Sequence, residues 1–372
     1  MRATHSQRIE KWLGTEIVEG ISRSMRDWYG PPIAIANVPG IVYAAKGGDF
    51  VGPIRGGYHA TLWDFIEQRA RRILRNTSRL QAGKLNAGFT SLSDLISEAT
   101  AGGKSQVLSF VIAGAAGVAA RSNSTWGVGS WPPIGAAGGT TGTGAPCTRT
   151  TVGALQQQNA GVGDQLHITT ITLQASVAGQ ILLYYDRLWH MTHTMTVDPR
   201  SCDAVNPPNR YQTAALAPGN FFTGHVTTVL PAATPTITID YIDQDGTAST
   251  SATLSTIASA AAVNTIPFTA PNWFVPLNAA DTGLRRLGDA TTGANAVNLS
   301  AAMASGVVTW AIGHPLAFCP VGAANTPIIV DGINSAFNLQ RVYDNACLTS
   351  LELCKSATTA TNWWGGVEMV SG

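Results

Sequence analysis

The period-two alternation of apolar and polar residues after residue 165 limits the fold more than any other feature. Ile171, Leu173 and Ala175 alternate with Thr172 and Gln174, which gives a strand one buried face. Ile237, Ile239 and Tyr241 alternate with Thr238 and Asp240. Asp243-Gln244-Asp245-Gly246 then separates that run from a second one, Thr247 to Leu254, which is the pattern of a hairpin. Gln180 to Trp189 reads as a bulkier strand after Ala178-Gly179. Further strands are expected at 296–299, 307–312, 347–353 and 367–370. Many short strands separated by turn signals predict a mainly β protein whose C-terminal region is a β-sandwich or jelly roll.

The first 121 residues read as a mixed, partly helical docking arm. Leu62, Phe65, Ile66, Ile73 and Leu74 fall near one face of a helix over 61–75, with Thr61 and Asp64 as its cap pair. A second, shorter helix is expected over 91–99, with Ser91 and Asp94 at its start. Trp28-Tyr29-Gly30-Pro31-Pro32 and the Gly-rich run 46–57 read as extended or looped chain. Arg69, Arg71, Arg72, Arg75 and Arg79 cluster at the end of the first helix. The helix dipole accounts for part of this cluster. The rest, with Trp28 and Tyr29, forms the candidate partner interface.

Charge separates this arm from the remainder. Residues 1–121 hold 15 Lys and Arg against 9 Asp and Glu, while residues 122–372 hold 8 against 13. A basic arm therefore precedes an acidic body. Between them, Ser122 to Thr151 carries Gly127, Gly129, Gly138, Gly139, Gly142 and Gly144 among many threonines, a composition that is flexible in isolation. The expected organisation is an arm over 1–121, a Gly/Thr-rich linker over 122–160, and a β-region over 161–372 with room for two subdomains.

Composition narrows the function. Hydrophobic residues make up 45% of the chain and charged residues 12%, the latter about half the usual share. Charge keeps surfaces apart in solution, so a sparsely charged chain suits a subunit whose surface is covered by neighbours. Met1 to Trp12 has no apolar signal segment, and the apolar stretch 107–120 is too short to cross a bilayer. The expectation is a chain folded in a host cytoplasm, with no membrane partner. Cys147, Cys202, Cys319, Cys347 and Cys354 lack C-x-x-C spacing and are odd in number, which predicts buried free thiols.

No constellation for catalysis, cofactor or metal stands out. His190 and His193, near Asp186 and Asp198, lie three apart on an expected strand, which sends their rings to opposite faces. Asp243 and Asp245 resemble the start of a calcium loop, but Leu254 stands where the closing glutamate belongs, so a turn is expected. There is no G-x-S-x-G elbow, P-loop or dinucleotide fingerprint. The arginine cluster reads as a solvated helix face or a contact with an acidic protein neighbour before it reads as a nucleic-acid site, because an excess of six cations over 121 residues is modest.

Four segments resemble tailed-bacteriophage virion structural proteins: Leu-Leu-Tyr-Tyr-Asp-Arg-Leu-Trp at 182–189, Ala-Ala-Asp-Thr-Gly-Leu-Arg at 279–285, Gly-His-Pro-Leu-Ala at 313–317, and Arg-Val-Tyr-Asp-Asn-Ala-Cys-Leu at 341–348. The resemblance spans about residues 165–350 and supplies framework motifs without a catalytic residue. It implies a non-enzymatic virion component, of capsid decoration or cement type, released by lysis. Its implied partners are the major capsid protein, other virion proteins and copies of itself. A neck, collar, tail or baseplate subunit is the first alternative. A glycan-binding adhesive module is the second, with Trp363-Trp364 as its candidate pair. Within the motifs, Tyr184, Tyr185 and Trp189 are expected to fill a core, and Asp186 to pair with Arg187 or a neighbouring strand.

Overall fold

The computed structural model describes residues 45–46, 49–50, 89, 92–100, 104–114, 122–138, 144–200, 210–251, 255–269, 272–288, 296–332, 339–353 and 360–372. The chain divides into two units, Met1–Asn86 and Ala87–Gly372. In the first, β1 (Ala45–Lys46) pairs antiparallel with β2 (Asp49–Phe50). The helix expected over 61–75 lies outside the described residues. So do the arginines at 69, 71, 72, 75 and 79, and also Trp28 and Tyr29.

The second unit opens with α1 (Leu92–Thr100), within a residue of the helix expected at 91–99. The strands β3 (Ser105–Ile112), β4 (Asn123–Ser124), β5 (Ala145–Pro146), β6 (Leu166–Ala175) and β7 (Gln180–Thr194) follow. After them come β8 (Phe221–Thr228), β9 (Thr236–Asp243), β10 (Ala248–Thr250), β11 (Ser255–Thr256), β12 (Leu284–Leu287) and β13 (Val297–Leu299). The last are β14 (Val307–Val321), β15 (Ile328–Asp331), β16 (Arg341–Val342), β17 (Leu348–Leu353) and β18 (Trp363–Ser371). The chain is mostly β, and its sheets are antiparallel.

Among the described residues, three sheets build the unit. The first runs β4-β17-β7-β14-β8, with β5 beside β7. The second runs β15-β6-β18-β3, with β16 beside β6. In the third, β10 and β12 flank one half of β9, and β11 and β13 flank the other. The hairpin expected around residue 245 is β9–β10. In its turn, the Asp243 carboxylate accepts from the backbone N–H groups of Asp245 and Thr247, both at 2.8 Å.

The first sheet is buried on both faces. Leu182, Tyr184, Cys319 and Val321 pack with Phe110, Ile171, Leu173, Trp363 and Val367 of the second sheet. On the other side, Leu183, Tyr185, Met191, Phe222 and Trp310 pack with Ile237, Ile239, Tyr241 and Leu284 of the third. Both sets of alternate side chains on β7 are therefore buried, whereas β9 alternates between buried and half-buried positions along most of its length. β7 and β14 pair along their whole lengths, interrupted by register shifts at Ile312/Gly313 and Pro315/Ala317. Such bulges re-aim side chains locally. The third of the four resembling segments, Gly313 to Ala317, lies on β14, beginning at the first shift and containing the second.

Two organisational expectations need correction. Residues 122–160 are not a free linker: Ser124 pairs with Leu351, Ala145 with His190, and Trp126, Cys147 and Ala154 are buried together. Gly135, Gly138 and Gly144 serve close packing. A Cβ on Gly135 would meet the Trp126 ring at 2.2 Å, one on Gly144 the Trp189 ring at 1.8 Å, and one on Gly138 the Met191 backbone at 2.8 Å. Nor does the arm extend to residue 121, because β3 pairs with β18 along its full length and so belongs to the body. The apolar segment beginning at Val107 is this strand, and its Val107 and Val111 side chains are exposed.

Candidate functional site

Ionisable groups converge where β5 and β17 meet along one edge of β7. The Cys147 N–H donates to Leu188 O at 3.0 Å, and the Arg187 N–H donates to Cys347 O at 2.8 Å. The two cysteines therefore sit side by side against consecutive residues of β7, in one cluster with Trp126 and Ala154. Around them lie Asp186, Arg187, His190, Arg210 and His225, all buried.

Asp186 does not pair with Arg187. Neighbouring residues of a strand point to opposite faces, and the Asp186 carboxylate instead takes a two-pronged bond from Arg210. The Nε and the second guanidinium nitrogen of Arg210 donate to its two oxygens at 2.8 and 3.0 Å. The Cys347 N–H donates to the same carboxylate at 2.8 Å, and Arg210 reaches on to Cys147 O at 2.9 Å. Burial pushes the Asp186 carboxyl up, against the pull of Arg210. Arg187 lies with its Cζ 4.4 Å from the Trp126 ring centre and donates to the Tyr185 hydroxyl at 3.2 Å. Its other nitrogens meet no acceptor among the described residues. A cation over an indole face is favoured when water is excluded.

Cys147 and His190 bring a thiol beside an imidazole, the chemical pairing that activates a nucleophile. Burial opposes ionisation of Cys147, but Cys347, His190 and Arg187 outweigh it and draw the thiol down. Burial raises the Cys347 thiol, and the bond to Cys147 adds to this. Yet Cys147 and Cys347 have no exposed surface at all. The pair is enclosed by framework side chains, and a substrate has no path to it without local opening. Cys319 is also buried and free, and burial pushes it up to about 12. Cys202 and Cys354 lie outside the described residues.

The histidines separate as strand geometry requires. His190 packs edge-on against Trp126, while His193 accepts from the Trp310 indole N–H at 3.0 Å through Nδ1. The His193 Nε2 lies 2.8 Å from Val197 O, so this nitrogen carries the proton and the ring is neutral. No group of three or more His, Cys, Asp or Glu able to hold a metal occurs among the described residues.

Three of the four motifs meet here, because Asp186 pairs with His314 on one edge of β7 and with Leu348 on the other. His314 stacks on Tyr211 with ring centres 3.7 Å apart, and Tyr211 meets Tyr343 edge-on. Arg341 covers Tyr343 at 4.1 Å. Asp281 accepts from the Tyr241 hydroxyl, and the Thr282 N–H donates to Gln244 at 3.0 Å. Sequence reasoning placed these residues in the framework. It missed Arg210 and Tyr211, which lie outside every motif.

The terminal tryptophans divide. Trp363 is fully buried in the core between the first two sheets, and Trp364 is 36% exposed. Trp363→Ala is expected to cost about 3–5 kcal/mol by emptying a core position. Trp364→Ala is expected to change stability by less than about 1 kcal/mol. Urea unfolding of the two variants tests the contrast, and equal losses would contradict this assignment of faces.

No protein-family model matches the chain, and no curated protein matches it either. Among solved structures, a mutant VP2 protein of infectious bursal disease virus, in derived T=1 particles, aligns at 9% identity over 72% of this chain and 78% of that one. Its TM-score is 0.12, too low to bear on fold or function.

Proposed function

We propose that this chain is a non-enzymatic structural protein of a tailed-bacteriophage particle, a decoration or cement subunit present in many copies on the head. In this reading the layered sheets are a β-sandwich or jelly roll, and the basic N-terminal residues dock on the major capsid protein.

The observation that carries the reading is the placement of the few charges. Asp186, Arg187, Arg210, Asp243 and Glu352 are all buried, so the surface is less charged than a 12% content implies. Large apolar side chains stand outside instead. Ile96, Ile134 and Val152 are all more than half exposed. Val229, at the end of β8, and Val263, in the loop that hydrogen-bonds to it, add a further exposed apolar end. Surfaces of this kind bind neighbours. A standard contact covers about 1,600 Å², and many such contacts reinforce a shell without any one of them being strong.

Particles banded on a density gradient and analysed by mass spectrometry are expected to contain the chain together with the major shell protein. Recovery only from the particle-free lysate would contradict the reading. A neck, collar, tail or baseplate ring would use the same surfaces in fewer copies, so stoichiometry separates these readings.

A further inference from the structure

The sheet β15-β6-β18-β3 turns one face to the core through Phe110, Ile112, Trp363 and Val367. Its other face carries three rows of side chains, because residues directly opposite on antiparallel strands share a face. The first row is Trp131, Val111, Trp364 and Gln174. Trp131 reaches it through a bridge in which Val111 and Trp131 exchange both backbone hydrogen bonds at 2.9 Å. The second row is Ser109, Gly366, Thr172 and Ile329, and the third is Val107, Glu368, Thr170 and Asp331.

We propose that this face binds a neutral oligosaccharide, with sugar rings stacked on Trp131 and Trp364 and sugar hydroxyls bonded to Ser109, Thr172 and Gln174. A pyranose ring presents a face of C–H bonds, weakly positive, which complements the negative face of an indole. Trp131 is 63% exposed and Trp364 36%. Two strand spacings put them about 10 Å apart, so each ring takes a different sugar of one chain. The hydroxyl and amide groups of the neighbouring rows make no hydrogen bond within the described residues and are neutral.

Charge argues against other partners. The three rows contain no lysine or arginine, so nucleic acid or an anionic lipid surface finds no counter-charge. Gly366 argues for a ligand over a flat protein neighbour. Its φ is not in the left-handed region, and a Cβ there would approach nothing closer than 3.7 Å. Neither backbone nor packing demands glycine, and a strand gains from a larger residue. The missing side chain leaves a notch beside Trp364, between Ser109 and Thr172, and close approach by a ligand is one of the uses a strand glycine has. Adjacent Gly365 differs: a Cβ on it would meet Thr172 O at 2.4 Å.

Calorimetric titration of the purified full chain with cellohexaose, mannohexaose and maltohexaose tests the assignment. At least one is expected to bind, and Trp131→Ala or Trp364→Ala to weaken it tenfold or more. Gly366→Val fills the notch without disturbing the strand. It is expected to weaken binding equally at an unchanged melting temperature, while Val229→Ser, on another surface, binds as the parent chain does. Absence of binding by all three sugars, or full binding by Gly366→Val, overturns the proposal. So does a dimer in sedimentation that Trp364→Ala dissociates, since the face would then be covered by a second copy. The titration needs no particle, so its failure and that of the virion reading are seen separately.

Discussion

Asp186→Ala is expected to destabilise the protein by about 3–5 kcal/mol, the usual loss when one partner of a buried ion pair is removed. The carboxylate is fully buried and holds Arg210 and the Cys347 N–H together. Without it a guanidinium only 6% exposed keeps its charge and loses its counter-ion, and the start of β17 loses an acceptor. The pair itself is not the source of stability, because burial disfavours both charges. Asp186→Leu combined with Arg210→Leu is therefore expected to recover at least half of the loss. Denaturant midpoints of the two variants measure this. A single substitution costing less than about 1 kcal/mol would show that the cluster is not the framework described.

Acidification is expected to have the second large effect. Burial pulls His167 and His314 down from about 6.5 to about 4, and lowers His193 and His225 as well. Between those limits the unfolded chain takes up protons that the folded chain refuses, so stability falls as the pH falls. For His167 and His314 the stabilisation is complete above about pH 6.5, is lost progressively towards pH 4, and levels off below it. The shifts of His167 and His314 each correspond to about 3 kcal/mol at most. Protonating His193 would also break its bond from Trp310, since a doubly protonated ring accepts nothing. His314→Phe keeps a ring against Tyr211 and removes the titration, so its stability is expected to fall less between pH 6.5 and 4. A flat stability profile across that range in the parent chain would contradict the burial of these rings.

Much of the body is legible in the sequence because β-sheets write their faces into alternate residues. Ile171, Leu173 and Ala175 all turn inward on β6, and the turn at Asp243 to Gly246 is where its residues predict. Arg210 was not legible as the partner of Asp186, since 24 residues separate them in sequence and only the folded chain brings them together. Gly138 and Gly144 misled for a physical reason: composition alone cannot tell a glycine that frees the backbone from one that lets a strand or an indole lie against it. The two-tryptophan row was half visible. Trp363-Trp364 stood out as a pair, but Trp131 joins it only through its bridge to Val111.

The virion reading stands most directly on stoichiometry, measured as copies per particle by quantitative mass spectrometry against the major shell protein. The account predicts one copy for each shell subunit, or a small fixed fraction such as one for every three. A count at the level of vertices or of a single ring would move the chain to the neck or tail, and absence from purified particles would contradict the account altogether.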